Sequence, residues 1–247
     1  MILEILPYRA AGAAENMAAD FLLLKRAPAD LARFRHYGWR TAAFTFGYSQ
    51  QIAFIRAQLA AFATEAAKAG GSVAFDLCRR ATGGGLVDHR DDWTYALVIP
   101  RGHALEEMGA TQSYRLVHEA LAAALVAQGV PAVLKPVPVA PPAGGAPAGV
   151  CFQRAETFDV CHATTGEKIA GAAQKRAKQG MLFQGSIWKA ALGTAVDWDS
   201  YGADFAARLA VTLGAEAAAG PWPDDIGDDA LDAIADGYRT PEWMEFR

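Results

Sequence analysis

The sequence predicts an α+β fold in which helices flank a mixed, largely antiparallel sheet. Helical and strand-like segments are interspersed along the 247 residues, without the strict βαβ alternation of a doubly wound sheet. The chain is 52% apolar and 20% charged, which is typical of a globular protein and sufficient for a sizeable core. We therefore expect one domain over 1–247, with a core of about 1–190 and a helical C-terminal tail over 191–247.

The first half of the chain supplies helices and strands in alternation. Met17, Phe21 and Leu24 recur at helical spacing, which predicts an amphipathic helix over 14–26. Residues 34–46 are rich in aromatic residues and Thr, which favours a strand, and a turn follows at 47–50. The remaining predicted segments are a helix over 52–69 that ends at two glycines, and strands over 72–77 and 93–99.

The second half is divided by a segment of unusual composition. Leu116, Leu121 and Leu125 lie on one face of a predicted helix over 113–128. Residues 138–149 are almost all Pro, Ala, Gly and Val, which predicts a mobile loop. The other predicted segments are strands over 132–137, 157–161, 168–175 and 181–188, and helices over 204–213 and 228–235.

Charge and cysteine content exclude several functional classes. The net charge is −4 with a pI near 5.7, which argues against a general nucleic-acid footprint. Three cysteines without CxxC spacing argue against a disulfide framework or a metal site, and they suit a reducing cytosol. The N-terminus carries an early acidic residue and the apolar runs are short, so we expect a cytoplasmic protein that binds no membrane.

A glycine-rich motif, Arg79-Arg80-Ala81-Thr82-Gly83-Gly84-Gly85, follows a predicted strand. Gly83-Gly84-Gly85 would let the backbone approach a ligand and turn N–H groups toward an anion. Arg79-Arg80 could clamp a phosphate or carboxylate with forked hydrogen bonds. The motif is not a Walker A loop, and Asp88 breaks a GxGxxG pattern. The alternative is a flexible hairpin turn flanked by solvated arginines.

A lysine-containing strand is the second candidate. Strand alternation places Lys168 on the same face as the small residues Ala170 and Ala172. A lysine beside small residues can reach into a pocket and offer its cation to a carbonyl or phosphate oxygen. The alternative is a surface lysine that snorkels from an edge strand.

Cys151 is the candidate nucleophile because it directly follows the predicted mobile loop. A cysteine reacts as its thiolate, which needs a nearby cation or base, and His89, Lys168 and His162 are candidates for that role. The alternative is a small buried apolar side chain. Cys78 and Cys161 lie in predicted strands, which favours that structural role for them.

Together these segments resemble the lipoate–protein ligases and the lipoyl or octanoyl transferases, relatives of biotin–protein ligase. The matching segments, in family order, are 16–20; Trp39 with 47–50; 79–85 with His89, Thr94 and Tyr95; and Asp159 with 166–174 and 184–186. The resemblance implies an α+β catalytic domain whose mixed sheet curves around an acyl chain. It also implies that Lys168 contacts the reacting carbonyl, and that the substrate is bound by Arg79, Arg80, Gly83, Gly84, Gly85, His89, Gly171 and Ala172.

The family's branches differ in how the acyl group is activated. Ligases use ATP and Mg²⁺ to form an acyl adenylate, whereas transferases accept a group already held as a thioester and need no cofactor. Cys151-Phe152 stands where one transferase branch carries its nucleophilic cysteine. Many ligases append an accessory domain, whereas we expect only a short helical tail after Trp188, which also favours a transferase. One departure is Gln184, where many members have a histidine.

The resemblance therefore favours an octanoyl or lipoyl transferase that works through a Cys151 acyl-enzyme. Acyl carrier protein would be the donor, a lipoyl-domain or glycine-cleavage carrier protein would be the acceptor, and the enzyme would be a monomer. The first alternative is an ATP-dependent ligase, in which Arg79, Arg80 and Lys168 hold the adenylate phosphate. The second alternative is a non-catalytic acyl- or carrier-binding protein.

Overall fold

The computed structural model describes residues 1–68, 74–137 and 155–246. Within them, twelve strands are present: β1 (Ile2–Ile5), β2 (Arg9–Ala11), β3 (Leu31–Trp39), β4 (Ala43–Phe46), β5 (Asp76–Arg79), β6 (Leu86–Asp88), β7 (Asp92–Pro100), β8 (Ala132–Leu134), β9 (Val160–His162), β10 (Lys168–Ala177), β11 (Gly180–Trp188) and β12 (Glu216–Ala219). The helices are α1 (Ala13–Lys25), α2 (Ile52–Lys68), α3 (Ala104–Glu107), α4 (Ala110–Ala127), α5 (Trp198–Leu213), α6 (Asp228–Arg239) and α7 (Pro241–Glu245), with a 3₁₀ helix at Lys189–Leu192.

The strands form two sheets. The large sheet has nine strands in the order β12-β1-β3-β7-β11-β10-β9-β8, with β2 attached to β3. Its pairing is parallel where β1 meets β12 and β3, and antiparallel from β3 through β8. The small sheet has the order β5-β4-β6. Helices flank a mixed, largely antiparallel sheet, so the predicted α+β class is confirmed.

The two faces of the large sheet carry different clusters because side chains alternate along each strand. In β7, Trp93, Tyr95 and Leu97 pack with helices α4 and α5 in the largest apolar cluster. Ala96 and Val98 lie on the opposite face, in a cluster that includes leucines of α1. The sheet thus has an aromatic core on one side and α1 on the other.

The chain crosses between the two sheets inside the segment predicted as one strand over 34–46. Strand β3 ends at Trp39 and belongs to the large sheet, whereas β4 begins at Ala43 and is central in the small sheet. The prediction of one continuous strand was wrong. The crossing is held by backbone bonds from Arg40 N–H to Ala11 and from Asp76 N–H to the carbonyl of Ala42.

The segment after residue 190 contains more than the helices expected there. Strand β12 pairs in parallel with β1 at the edge of the large sheet. Helix α5 begins at an Asp197 cap, and its Tyr201 and Phe205 are buried in the aromatic core. The short strands β1, β2, β6 and β12 were not predicted. The predicted loop over 138–149 and Cys151 lie outside the described residues.

Candidate active site

A pocket lies between the large sheet, helix α1 and the small sheet. Its lining comes from all three, with strands β10, β11 and β7 as the floor. The residues lining the pocket are Met17, Tyr37, Thr45, Arg80, Gly84, Val87, His89, Thr94, Lys168, Gly171, Ala172, Ala173, Gln184, Gly185 and Ser186. The structure therefore brings Lys168 and the glycine motif to one place, although they are far apart in sequence.

The floor of the pocket is a row of small side chains across neighbouring strands. Gly171 in β10 pairs with Ser186 in β11, and Ser186 pairs with Thr94 in β7. Paired residues project to the same face of a sheet. Because these side chains are small, they leave space above the sheet for a ligand.

Lys168 is the principal cation of the pocket floor. Its Nζ lies 2.8 Å from Asp159 Oδ2, and the two side chains are 7% and 1% exposed. The carboxylate also accepts hydrogen bonds from the Tyr114 hydroxyl and, at 2.6 Å, from the backbone N–H of Glu156. A β-carbon at position 171 would lie 2.7 Å from Lys168 Nζ, so Gly171 provides the space that the ammonium group occupies. The lysine is thereby held as an oriented cation.

Tyr114 of helix α4 connects Asp159 to the strand that carries Lys168. Its hydroxyl donates to Asp159 and accepts the backbone N–H of Ala172 at 3.0 Å. Burial and the neighbouring carboxylate raise the pKa of Tyr114 well above its ordinary value, so the hydroxyl keeps its proton. The backbone N–H of Ala172 is thus already used within the protein, while Ala172 itself, which was predicted to bind substrate, lines the pocket.

Arg80 fixes the glycine motif in place. Its guanidinium donates to the carbonyl of Gly83 at 2.7 Å, to the carbonyl of Gly85 at 3.1 Å and to Thr45 Oγ1 at 2.9 Å. Gly84 adopts a φ of 93°, a conformation that favours glycine. A side chain at Gly47 would overlap the carbonyl of Gly84, so the turn after β4 must also be glycine for the motif to pack.

Arg79 lies next to Arg80 in sequence but has a different environment. It is fully buried, and its guanidinium donates to the carbonyls of Tyr48, Gln50 and Met244 at 2.7 to 2.8 Å. These bonds join the turn after β4 to helix α7. Arg79, which was predicted to bind substrate, therefore connects the turn after β4 to helix α7. Arg80 and Gly84 were also predicted to bind substrate, and both line the pocket.

His89 also lines the pocket, where it belongs to a hydrogen-bonded chain. Its Nδ1 lies 2.6 Å from Asp92 Oδ2 and its Nε2 lies 2.7 Å from Thr45 Oγ1. Trp39 stacks on the ring with centroids 4.1 Å apart. Because the carboxylate only accepts, Nδ1 carries a proton, and the hydroxyl of Thr45 can donate to Nε2 while it accepts from Arg80. The imidazole is therefore fixed in both position and orientation.

Gln184 occupies a buried position between the glycine motif and helix α1. Its Oε1 accepts the Thr82 hydroxyl at 2.7 Å, and its Nε2 donates to Asp20 Oδ2 at 2.6 Å. Asp20 is fully buried and also pairs with Arg35 at 2.7 Å. The neutral amide of Gln184 therefore forms hydrogen bonds with both Thr82 and Asp20. It stands at the position where the family resemblance leads us to expect a histidine.

The two cysteines that the structure describes are poorly suited to nucleophilic chemistry. Burial raises the pKa of the Cys78 thiol to about 12. Burial, with the nearby Asp159 carboxylate, also raises the pKa of Cys161. Both therefore remain thiols near neutral pH, which agrees with the structural roles predicted for them.

Asp159 and Tyr114 are the functional candidates that the residue patterns did not single out. Asp159 entered only as part of the family resemblance, and Tyr114 is separated from Lys168 by more than fifty residues in the sequence.

Within the described residues, no group of three His, Cys, Asp or Glu side chains is arranged to hold a metal ion. The same part of the chain has no helix that is both long and apolar enough to cross a membrane.

The fold and the pocket together are those of a catalytic domain of the lipoyl-attachment type. Residues 12–191 match the family model of the lipoyl protein ligase A/B catalytic domain. The chain belongs to this family, and the resemblance drawn from its motifs is confirmed.

Similar proteins support the octanoyltransferase branch of the family. Octanoyltransferase LipM of Symbiobacterium thermophilum is 33% identical over 156 residues, which cover 62% of this chain and 52% of that protein. Octanoyltransferase LipM of an Exiguobacterium species is 32% identical over 180 residues, which cover 70% of this chain and 61% of that protein. The chain thus spans between half and two thirds of the length of these relatives.

The fold is shared with a solved archaeal protein. The bi-partite lipoate protein ligase of Thermoplasma acidophilum aligns with this chain with a TM-score of 0.69 at 19% identity. The structural study of that ligase also concerns its E2 lipoyl domain. The alignment covers 100% of this chain and 98% of that chain. At this identity the likeness concerns the fold, and it agrees with the fold that the sequence predicted.

Proposed function

We propose that this protein transfers an octanoyl or lipoyl-type group to a lysine of a lipoyl-domain or glycine-cleavage carrier protein. The observation that carries the proposal is the buried Lys168 ammonium, which Asp159 holds at 2.8 Å beside a floor of small side chains. A cation fixed in this way is suited to stabilise the negative charge that develops on a carbonyl oxygen during acyl transfer. Family membership and the octanoyltransferase relatives support the same reaction.

In the first step, the Cys151 thiolate attacks the carbonyl carbon of an octanoyl thioester on acyl carrier protein. The carbonyl oxygen becomes an oxyanion that faces Lys168. When the intermediate collapses, the original C–S bond breaks, and the phosphopantetheine thiolate leaves and takes up a proton. The role of Cys151 rests on the family resemblance, and the raised thiol pKa values of Cys78 and Cys161 favour it over them.

In the second step, the unprotonated amine of the acceptor lysine attacks the acyl-enzyme. An amide bond forms, the Cys151 thiolate is released, and the proton lost by the amine passes to solvent. Because the amine must be neutral to attack, the rate of this step should rise as the pH increases above neutrality.

The positions of the arginines favour the transferase over the ligase. In the ligase mechanism Arg79 and Arg80 would hold an adenylate phosphate, but both guanidinium groups donate to carbonyls of the protein itself. The buried ion pair of Lys168 favours catalysis over simple binding, because a buried charge costs desolvation energy that an acyl-binding pocket does not require.

The test is the intact mass of the protein after mixing with octanoyl acyl carrier protein, without nucleotide. We expect an octanoyl adduct that hydroxylamine removes, on the wild type and on the Cys161→Ala control but not on Cys151→Ala. An adduct of equal yield on Cys151→Ala would refute the cysteine acyl-enzyme.

A parallel reaction distinguishes the ligase. It contains free lipoate, ATP, Mg²⁺ and a lipoyl domain, and the mass of the lipoyl domain is recorded. We expect no lipoylation in this reaction. Lipoylation that requires ATP and persists in Cys151→Ala would establish the ligase and overturn the transferase proposal.

A further inference from the structure

Three buried side chains beside the pocket form a hydrogen-bonded chain that runs in one direction. The hydroxyl of Thr45 lies 2.7 Å from His89 Nε2, and His89 Nδ1 lies 2.6 Å from Asp92 Oδ2. Arg80 donates to Thr45 Oγ1 at 2.9 Å, so the hydrogen of the hydroxyl can point toward the imidazole. A hydroxyl, an imidazole and a carboxylate in this order form the arrangement that orients a catalytic base in acyl-transfer enzymes.

Asp92 is a buried carboxylate whose ion-pair partner, among the residues that the structure describes, is His89. The side chain of Asp92 is 0% exposed, and its Oδ2 accepts hydrogen bonds from His89, Thr94 and Ser186. In the same part of the chain, its Oδ1 has no hydrogen-bond partner. Because a buried carboxylate without a cation is unfavourable, a proton taken up by the imidazole would complete an ion pair at 2.6 Å.

His89 is also the side chain of the pocket that can accept a proton near neutral pH. The ionisable residues of the described lining are Tyr37, Arg80, His89 and Lys168. Arginine stays protonated, and Lys168 is already the ammonium partner of Asp159. Burial raises the pKa of Tyr37 well above its ordinary value, so its phenol keeps its proton. An imidazole, by contrast, exchanges protons in the neutral range.

We propose that Thr45 and His89 form a proton relay for the attack of the acceptor amine, and that Asp92 positions this relay. As the C–N bond forms, the amine gives one proton to Thr45 Oγ1, and the hydroxyl passes its own hydrogen to His89 Nε2. The C–S bond of the acyl-enzyme breaks and the thiolate leaves. The imidazolium, which Asp92 compensates, then returns its proton to solvent. This role rests on the proposed function, because it needs an acyl-enzyme and an attacking amine.

The structure suggests a variant that free imidazole can rescue. Trp39 stacks on the ring of His89 with centroids 4.1 Å apart, so His89→Ala leaves a ring-shaped space bounded by Trp39, Thr45 and Asp92. Imidazole from solution can occupy this space and contact the same two partners. Thr45→Val removes the hydroxyl and keeps a β-branched side chain, which suits a strand, whereas Thr45→Ser keeps the hydroxyl.

His36→Ala is the matched control. His36 also stacks on a tryptophan, Trp93, with ring centroids 4.2 Å apart. The next residue in the strand, Tyr37, lines the pocket, so His36 faces the opposite side of the large sheet. The two histidine variants therefore remove the same ring from the same kind of contact, one beside the pocket and one away from it.

The experiment measures the second step by itself. The octanoyl adduct is allowed to form from octanoyl acyl carrier protein, a lipoyl domain is added, and the intact masses of both proteins are followed in time. General acid–base catalysis contributes at least about 100-fold, so we expect transfer to slow by about this factor in His89→Ala and Thr45→Val. Thr45→Ser should regain most of the rate lost in Thr45→Val, and His36→Ala should transfer at the wild-type rate.

Added imidazole distinguishes a relay from a structural role. We expect it to accelerate transfer in His89→Ala as its concentration rises, and to leave Thr45→Val and His36→Ala unchanged. The proposal is overturned if folded His89→Ala transfers at the wild-type rate, or if it is slow and imidazole restores none of the rate. If His89→Ala does not fold, equal rates for Thr45→Val and Thr45→Ser overturn it.

The adduct itself separates failure of the relay from failure of the proposed function. Loss of adduct formation in folded His89→Ala would place the histidine in the first step and overturn its assignment to the second. Absence of an adduct on the wild type would refute the proposed function and the relay together. An adduct that forms and transfers equally well in the wild type and all relay variants would refute the relay alone.

Discussion

The ion pair between Lys168 and Asp159 gives the sharpest prediction for this site. Replacing Asp159 with Asn keeps the size of the side chain and removes its negative charge. The amide oxygen can still accept from Tyr114, but Lys168 loses its counter-charge. Because the carboxylate is 1% exposed and the lysine side chain 7% exposed, water cannot readily replace the lost partner.

The expected loss of stability follows from this burial. Removing one member of a buried ion pair typically costs about 3–5 kcal/mol, since the remaining charge is left without a partner. We therefore expect Asp159→Asn to lower the free energy of unfolding by about 3–5 kcal/mol. The rate of acyl-enzyme formation should also fall, because Lys168 loses the partner that orients it, by up to about 100-fold, the cost of losing one oxyanion donor outright.

Urea unfolding and the rate of octanoyl adduct formation measure the two effects. Asp204→Asn is the control, because its pair with Arg208 at 2.8 Å is formed by side chains 33% and 40% exposed. An exposed pair of this kind contributes about 0.5 kcal/mol or less. The double variant Lys168→Met/Asp159→Leu should regain much of the stability, since apolar residues often replace a buried pair without loss, but it should remain inactive.

Two results would refute this reasoning. The first is an Asp159→Asn protein whose free energy of unfolding and adduct rate both match those of Asp204→Asn. The second is a double variant that transfers octanoyl groups at the rate of the wild type, because the lysine cation would then be dispensable.

Two further predictions concern the glycine motif and a buried histidine. Gly47→Ala should lower the free energy of unfolding by about 1–3 kcal/mol, because the new β-carbon would overlap the carbonyl of Gly84. A β-carbon at Gly83 meets nothing within 4 Å, so Gly83→Ala should change the free energy of unfolding by about 0.5 kcal/mol or less. Equal urea midpoints for the two variants would contradict this. Burial lowers the pKa of His118 from 6.5 to about 4. As the pH decreases from 6.5 toward 4, this histidine is therefore protonated in the unfolded chain before it is protonated in the folded protein. The free energy of unfolding should fall over this range by at most about 3 kcal/mol. His118→Leu should reduce this dependence in urea titrations across that pH range, and an unchanged slope would show that other groups cause it.

The long elements could be predicted from sequence because their patterns are local. Helices α1 and α4 show apolar residues at helical spacing, and β7, β10 and β11 were located within a few residues of their observed bounds. Strands β1, β2, β6 and β12 are only three or four residues long, which is too short for a periodic signal. They form because partner strands elsewhere in the chain accept their backbone hydrogen bonds.

The candidate site was predictable where a motif carried it and not where packing did. The glycine motif and Lys168 were candidates from their residue patterns, and the family resemblance assigned both to the substrate site. Asp159, which pairs with Lys168, lies close to it in the sequence, but Tyr114, which holds Asp159, comes from a helix far away in the sequence, so no local pattern indicates it. Arginine side chains commonly bind anions, which is why Arg79 and Arg80 were predicted to do so. In the folded protein, both guanidinium groups donate hydrogen bonds to backbone carbonyls. The predicted nucleophile Cys151 stays a prediction.

The large sheet can hold both a core and a pocket because large and small side chains alternate along its central strands. In β7, Tyr95 faces the aromatic core while Thr94 faces the pocket, and in β11 Phe183 and Ser186 divide in the same way. Gly185 makes this arrangement possible, since any side chain there would overlap the ring of Tyr95. A shift of one residue in the pairing of β7 and β11 would place aromatic rings over the pocket floor. The register of these two strands is therefore a condition for the pocket as much as for the core.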